Sequence, residues 1–301
     1  MNVQPERREQ EPPRVPLNQA SFPIQHLKLS TDLTLAYREA GEGLPVVMLH
    51  GLADHSLVWQ SLAQHLGDRY RCLAPDLRGH GDSSKPPASA YGARFIADDL
   101  EQFCVQLPLN TATVIAHSWA AKVALWWARQ YPQRLRHLIL VDPFFVNRLP
   151  VAFRPTFPIL YRTLPFLKVM GPFADREQAQ AVAQGLKQYR GWSAQQQAIF
   201  HAGMAQQTDG QWRSKFAIAA RNGVFDDILQ TAGLTEPLAT PTTLLLPQQG
   251  LNRMAWQTRP YHQYLSNLEV QTIPGNHWPH LVEPETFNAA IAAELGKNTT
   301  P

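Results

Sequence analysis

The stretch that decides the fold is TATVIAHSWAAKVALWWARQ, residues 111–130. Its first half contains a short apolar run, which is typical of a buried strand. From Trp119 onward the apolar residues recur every three or four positions, the spacing of an amphipathic helix. A single serine, Ser118, stands at the corner between the two patterns. The stretch therefore predicts a strand that turns sharply into a helix, with a hydroxyl at the turn.

Ser118 has two interpretations. Serine is a preferred N-cap residue, because its side-chain oxygen can accept a hydrogen bond from the first turn of a helix. The alternative is the nucleophile elbow G-x-S-x-G, here written A-H-S-W-A with Ala116 and Ala120 in place of the glycines. A methyl group is the smallest departure from glycine. The residues around the serine leave both interpretations open.

Seven further apolar runs of strand length occur along the chain, and helical patterns separate most of them. In chain order these runs are HLKLS, LTLAYRE, PVVMLH, YRCLAPD, LRHLILVDP, TTLLLP and EVQTIPG. The first two are close enough to form a hairpin. The alternation predicts the fold class: α/β, with a doubly wound, mostly parallel eight-stranded sheet and helices on both of its faces.

The strand signal disappears between residues 144 and 225, where the sequence becomes helical, aromatic and rich in glutamine. In open α/β sheets, ligands bind beyond the carboxyl ends of the strands, so an insertion here would cover the site. We therefore predict a disordered tail over residues 1–20, a core over residues 21–143 and 226–297, and a helical cap over residues 144–225.

Composition narrows the classes of partner. The chain is 44% hydrophobic and 17% charged, with a net charge of +3 and no run of basic residues, so we expect no binding to nucleic acid and a small-molecule substrate instead. The two cysteines, Cys72 and Cys104, show neither metal-ligand spacing nor a disulfide framework. We expect no metal, and a reducing compartment such as the cytoplasm. The composition does not indicate an oligomeric state.

No apolar run is long enough to cross a membrane, and the polar N-terminal residues lack the apolar segment of a signal peptide. The nearest approach to an apolar run is FPILYRTLPFLKVMGPF, residues 157–173, which Arg162, Pro165 and Lys168 interrupt. We expect this segment to face an apolar ligand, to contact a lipid surface, or merely to pack the cap on the core.

Three more stretches carry recognisable patterns. VVMLHGLADHSLVW places His50 and Gly51 at the end of a buried strand, and APDLRGHGDSSKP forms a dense polar turn. IPGNHWPHLVEPETF places His277 in a loop after the last strand. With the serine corner, these stretches occur in an order that resembles the α/β-hydrolase fold superfamily over roughly residues 24–295. The polar turn matches D-x-R-G-x-G-x-S, and the histidine segment matches P-G-x-G-H-x-x-x-x-E-x-P, shortened by one residue.

The resemblance implies the site residues of a serine hydrolase. Ser118 is the expected nucleophile and His277 the expected base, with His280 as the alternative base. The backbone amides of Leu52 and Trp119 are expected to form the oxyanion hole. Arg78 and Asp82, both in the polar turn, are interpreted as buried hydrogen-bonding partners. Such a mechanism needs no cofactor.

The catalytic acid departs from the family pattern. Family members usually carry it after the penultimate strand, but PTTLLLPQQGLNRM has Gly250 there. Asp142, at the end of LILVDP, is one substitute, because certain haloalkane dehalogenases place the acid at the end of that strand. An aspartate there can also be purely structural. Asn252 is a second substitute, although a neutral amide could not stabilise an imidazolium by charge.

Two functions remain open. The first is a serine hydrolase that cleaves an ester, thioester or similar acyl bond of a small, apolar substrate through an acyl-enzyme; lactone and carbon–carbon cleavage also fit. A serine nucleophile argues against dehalogenase and epoxide-hydrolase chemistry, which in this superfamily uses an aspartate. The alternative is a non-catalytic or weakly active ligand-binding protein that lost the usual acid.

Overall fold

The structure is a computed structural model that describes residues 22–144 and 146–297. The predicted N-terminal tail lies outside these residues. The ten strands are β1 (Ile24–Ser30), β2 (Leu33–Ala40), β3 (Leu44–Leu49), β4 (Tyr70–Pro75), β5 (Ala112–His117), β6 (Leu135–Val141), β7 (Met204–Gln206), β8 (Trp212–Ser214), β9 (Thr242–Gln249) and β10 (Leu268–Asn276).

Ten α-helices occur in the described residues, several of them between successive strands. They are α1 (Gln60–Leu66), α2 (Ala93–Gln106), α3 (Ala120–Gln130), α4 (Phe157–Thr163), α5 (Arg176–Gln184), α6 (Ala194–Ala202), α7 (Ile218–Gln230), α8 (Ala255–Tyr264), α9 (Pro279–Val282) and α10 (Pro284–Lys297). Short 3₁₀ turns occur at Ser56–Trp59, Ala88–Ala90, Val151–Thr156, Pro165–Met170 and Lys187–Tyr189.

Eight strands form one sheet in the order β1-β2-β4-β3-β5-β6-β9-β10. Strand β2 runs antiparallel to both of its neighbours, and the other neighbouring pairs are parallel. The predicted fold class is therefore confirmed. Because the carboxyl ends of parallel strands meet at one edge of a sheet, the residues that follow β3, β5, β6, β9 and β10 lie close together.

Helices cover both faces of the sheet, which is why the central strands read as continuous apolar runs. On one face, α2, α3 and α7 pack around residues such as Phe103, Trp127 and Phe225. On the other face, α1 and α10 pack around residues such as Leu62 and Phe287. All six residues of β5 are buried, so the strand that leads to Ser118 is held from both sides.

The segment between β6 and α7 carries α4, α5 and α6 and has its own small apolar core, which includes Phe173 and Phe200. It also contains β7 and β8, which form a separate antiparallel pair. The expectation of a segment without strands was wrong here, because three-residue strands are too short to show a period. Residue 225, the predicted end of the cap, falls inside α7 and packs in the main core. The division into core and cap stays a prediction.

Among the helices of the described residues, none combines the length and the apolar character that crossing a membrane requires.

Candidate active site

Ser118 lies at the turn between β5 and α3 with φ of +56°, a backbone conformation that side-chain-bearing residues rarely adopt. Three backbone hydrogen bonds hold it: its N–H donates to Val141 O at 2.9 Å, and the N–H groups of Phe144 and Ala121 donate to its carbonyl at 3.1 and 3.2 Å. The N-cap position of α3 is Trp119, with no side-chain capping bond. The Ser118 hydroxyl is therefore not a helix cap, and the elbow interpretation describes the turn.

The structure brings Ser118, His277 and Asp142 together. His277 follows β10, and its Nε2 lies 2.8 Å from Ser118 Oγ, while its Nδ1 lies 2.7 Å from Asp142 Oδ2. A carboxylate can only accept, so Nδ1 carries the proton and donates to Asp142. Nε2 is then free to accept from the Ser118 hydroxyl. This is the arrangement of a nucleophile, a base and an orienting acid.

Asp142 directly follows β6 and is fully buried. Its Oδ2 also accepts from Leu251 N–H at 2.8 Å, and its Oδ1 accepts from the Asn252 side-chain amide at 2.8 Å. Burial alone would raise the pKa of Asp142, but the hydrogen bonds and charge of His277, with those from Asn252 and Leu251, lower it below its usual value. The carboxylate thus stays ionised at neutral pH.

The two alternatives from the sequence, Asn252 as the acid and His280 as the base, do not take these roles in the hydrogen-bond chain. The Asn252 amide donates to Asp142 and to Pro143 O instead of contacting the histidine, so it positions the carboxylate. His280 is buried and stacks on Trp59 with ring centroids 4.8 Å apart. No hydrogen bond joins His280 to Ser118 in the structure.

Gly250 explains why the usual acid position can be vacant. A Cβ atom placed on Gly250 would lie 2.6 Å from Asp142 Oδ2 and 2.8 Å from its Cγ. The carboxylate of Asp142 therefore fills the space that a side chain at position 250 would need. The carboxylate of Asp142, which follows β6, thus lies next to the position where family members usually carry the acid.

Leu52 and Trp119 border the same cavity as Ser118. The first turn of the 11-residue helix α3 follows Trp119 directly, so its amide dipoles favour negative charge near Ser118. The sequence placed His50 at the strand end but did not indicate that its side chain holds this loop. Leu77 N–H donates to His50 Nε2 at 3.0 Å, and His50 Nδ1–H donates to Gly51 O at 2.8 Å. Burial lowers the pKa of His50 to about 4, so it stays neutral.

The expectation that Arg78 and Asp82 in the polar turn after β4 are buried hydrogen-bonding partners is met for one of the two residues. Arg78 is buried and donates to Asp99 Oδ2 at 2.6 Å. The expectation was wrong for Asp82, which is exposed and forms an ion pair with Lys215 at 2.8 Å. The turn presents Asp82 to solvent because Asp76, not Asp82, accepts the buried backbone bonds, from Ser56 N–H at 2.6 Å among others.

A cavity of about 360 Å³ opens over Ser118 and His277. Its wall away from the sheet comes from the segment predicted as a cap, through Leu164, Phe166 and Leu186. Two exposed basic residues, Lys187 and Arg253, also line it. The lining is mainly apolar, with positive charge supplied by two side chains. Of the three expectations for residues 157–173, this lining supports contact with an apolar ligand, and the burial of Phe157 and Leu167 in the main core supports packing on the core. Contact with lipid stays a prediction.

A second polar cluster lies behind the serine, formed by Asp54, His117 and His280. All three side chains are buried. Burial raises the pKa of Asp54 to about 7, although a hydrogen bond from the Trp278 side chain opposes this rise. Burial lowers the pKa of His280 to about 3 and that of His117 well below its usual value. No spacing in the sequence could have indicated this cluster, because Asp54 lies in a loop, His117 ends β5 and His280 lies in α9, far apart along the chain.

Comparison with known proteins assigns the chain to one family. A family model described as alpha/beta hydrolase fold matches residues 45–284. An uncharacterized protein of Mycobacterium tuberculosis is 35% identical over 120 residues, covering 40% of this chain and 35% of that protein. Epoxide hydrolase 2 of Siraitia grosvenorii is 32% identical over 130 residues, covering 42% of this chain and 41% of the relative. The matched part thus spans well under half the length of these relatives.

Among solved structures, the crystal structure of E-2-(acetamidomethylene)succinate hydrolase superimposes with a TM-score of 0.76. The two chains are 23% identical, and the superposition covers 90% of this chain and 98% of the other. At this level of identity, the likeness shows that the fold is shared.

Proposed function

Because the chain belongs to the alpha/beta hydrolase fold family, we propose that it is a serine hydrolase that cleaves an ester, thioester or similar acyl bond of a small, mostly apolar substrate. The observation that supports this most is the unbroken hydrogen-bond chain from Ser118 Oγ through His277 to Asp142, at the floor of a cavity. An ionised acid, a neutral base and a hydroxyl in this order are what nucleophilic acyl transfer requires.

In the first half of the reaction, Ser118 Oγ attacks the substrate carbonyl carbon while its proton moves to His277 Nε2, 2.8 Å away. Asp142 stabilises the imidazolium that forms and holds the ring in place. The carbonyl oxygen becomes an oxyanion, which the amides of Leu52 and Trp119 stabilise from the cavity wall.

The tetrahedral intermediate then collapses. The bond to the leaving group breaks, and His277 Nε2–H protonates that group, leaving an acyl-enzyme on Ser118. In the second half, His277 removes a proton from water, and the resulting attack on the ester carbon releases the acid and regenerates the serine. Each proton that His277 accepts is returned within the same half-reaction.

The cavity lining limits the substrate. A volume of about 360 Å³ admits a small molecule, and side chains such as Leu164 and Phe166 favour an apolar acyl group. Lys187 and Arg253 would attract an anionic end of such a substrate. Epoxide hydrolysis fits less well, despite the relative of that name, because the family resemblance assigns that chemistry to an aspartate at the position of Ser118.

Labelling with a fluorophosphonate probe tests the proposal. We expect the wild-type chain to be labelled at Ser118 and to hydrolyse p-nitrophenyl esters, and Ser118→Ala to do neither. Ser89→Ala, which removes an exposed serine outside the cavity, is the matched control and should behave as wild type. Absence of Ser118-dependent labelling in a folded protein would contradict the proposal and favour a ligand-binding protein of the same fold.

A further inference from the structure

We propose that Asp54, His117 and His280 form a site for a divalent transition-metal ion of the Zn²⁺ class, and that an ion bound there inhibits the enzyme. The inhibition rests on the proposed serine hydrolase function, whereas the binding does not. The site lies next to the catalytic residues but uses none of the side chains assigned to them.

The three side chains converge on one point. One ligand atom from each, a carboxylate oxygen of Asp54 and a ring nitrogen of each histidine, lies within 4.8 Å of the other two. The exposed fractions of the residues are 7%, 1% and 2%. Within the described part of the chain, Asp54 Oδ2, His117 Nδ1 and both nitrogens of His280 have no hydrogen-bond partner. Buried polar atoms without partners are rare and costly, so an occupant is expected.

The tautomer of His117 indicates the charge of that occupant. His117 Nε2 lies 2.7 Å from the backbone carbonyl of His277, which can only accept, so Nε2 carries the proton. The lone pair of Nδ1 then faces Asp54 Oδ2 across 3.8 Å. When Asp54 is ionised, these two electron-rich atoms repel each other, and a cation between them removes the repulsion.

The donor set matches a transition metal. Two neutral imidazoles and one carboxylate are ligands that Zn²⁺ binds in proteins, and Co²⁺ and Fe²⁺ accept similar sets. Tetrahedral binding at about 2.1 Å places ligand atoms about 3.4 Å apart, so ligand atoms up to 4.8 Å apart need to approach one another by up to about 1.4 Å.

Two features of the structure leave space for an ion at this site and a route by which it can enter. Gly51 borders the cluster, and a Cβ there would lie 2.6 Å from His117 Nδ1 and 3.2 Å from Asp54 Oδ2. The missing side chain therefore leaves room between the ligands. Asp54 and His117 also line the cavity above Ser118, through which an ion can enter.

Inhibition follows from the position of the site. The rings of His117 and His277 have centroids 4.8 Å apart, and His117 holds the His277 carbonyl. A dication coordinated by His117 would oppose the imidazolium that His277 must become when Ser118 attacks. We therefore expect a bound ion to slow acylation without displacing the hydrogen-bonded residues.

The test is a titration of the full chain with Zn²⁺ by isothermal calorimetry, and with Co²⁺ by visible absorption. We expect one equivalent to bind to wild type. Asp54→Asn and His280→Gln should each weaken binding at least about 10-fold, since losing even an outer partner of a metal ligand costs that much. His277→Ala should still bind, and His65→Gln, which replaces an exposed histidine, is the matched control.

Several results would overturn the site: no binding to wild type, binding that both Asp54→Asn and His280→Gln retain, or binding that His277→Ala abolishes. Far-ultraviolet circular dichroism shows whether the variants are folded. In the activity arm, Zn²⁺ should inhibit ester hydrolysis by wild type over the range in which it binds, and inhibit His280→Gln only at concentrations at least about 10-fold higher. Binding without any hydrolase activity in the metal-free chain would refute the proposed function and leave the metal site standing.

Discussion

Ser118 and Asp142 share an unusual backbone. Their φ values are +56° and +40°, in the left-handed region that costs a residue other than glycine of order 1–3 kcal/mol. Each follows a strand whose hydrogen bonding continues past its end: Ser118 N–H donates to Val141 O, and Asp142 N–H donates to Leu245 O, both at 2.9 Å. The parallel sheet therefore stabilises both strained turns and directs both side chains toward His277.

Replacing Asp142 by asparagine should lower kcat for ester hydrolysis by about 10⁴, the loss found for the same change in the type-case serine protease. An amide at this position can donate to Nδ1 of His277, which favours the tautomer that cannot accept from Ser118. Steady-state kinetics with p-nitrophenyl esters measures the effect. Asp32→Asn, in the exposed turn after β1, is the control. A loss smaller than 10-fold would show that Asp142 is structural.

Moving the carboxylate should restore part of the activity. Because a side chain at position 250 would start 2.6 Å from Asp142 Oδ2, we expect Gly250→Asp alone to destabilise the site, where two carboxylates would compete for one space. In the double variant Asp142→Ala/Gly250→Asp the space is free. Its kcat should exceed that of Asp142→Ala by at least about 100-fold, a small part of the 10⁴ that the acid supplies. Equal kcat values for the two variants would contradict the prediction.

The 3₁₀ turn Pro165–Met170 and the loop before α9 form facing walls of the cavity. Phe166, on the turn, lines the cavity with its ring centroid 6.4 Å from that of Trp278. The turn lies between β6 and α7 in the chain, whereas Trp278 follows β10. We therefore expect the length of the substrate to be limited where these two segments face each other.

Shortening Phe166 to alanine should shift the preferred acyl chain toward longer substrates. Each additional methylene buried in the enlarged cavity contributes about 0.8 kcal/mol, or about 4-fold in kcat/KM. A series of p-nitrophenyl esters from C2 to C10 measures the shift. Phe153→Ala provides the control, since Phe153 belongs to the same segment, is 47% exposed and does not line the cavity. The same shift in both variants would mean that the segment loosened as a whole.

Buried neutral histidines link the stability of the molecule to pH. Burial lowers the pKa of His50 to about 4 and that of His80 well below its usual value. His117 and His280 behave likewise. Between pH 6.5 and 4 the unfolded chain therefore binds more protons than the folded chain. Asp54 has the opposite effect, because its raised pKa makes the folded state bind a proton below about pH 7.

Burial also lowers the pKa of His55 and His137, so these histidines outnumber Asp54, and the free energy of unfolding should fall as the pH falls from 6.5 to 5. Each histidine contributes up to about 1.4 kcal/mol per pH unit. Urea unfolding followed by tryptophan fluorescence at pH 6.5, 5.75 and 5 measures this slope. His50→Gln should reduce it, because glutamine does not titrate. A free energy of unfolding that stays constant or rises toward pH 5 would show that the histidines are not coupled to folding.

Local patterns were enough to predict most of the architecture. Strand-length apolar runs, helical periodicity and the order of the motifs around Ser118 and His277 predicted the eight-stranded sheet and the family. These features depend on neighbouring residues along the chain, which is why the sequence shows them directly. The three-residue strands β7 and β8 carry too few residues for such a pattern.

The convergence of distant side chains required the folded chain. Ser118 and His277 are 159 residues apart, and Asp142 and His277 are 135 apart, so no local period connects them. From sequence alone, Asp142 was the expected substitute for the acid, with Asn252 and a missing acid as alternatives. The parallel sheet separated them, because the ends of β6 and β9 lie side by side and leave room for one carboxylate beside Gly250. The same packing assembled Asp54, His117 and His280, which no spacing along the chain could reveal.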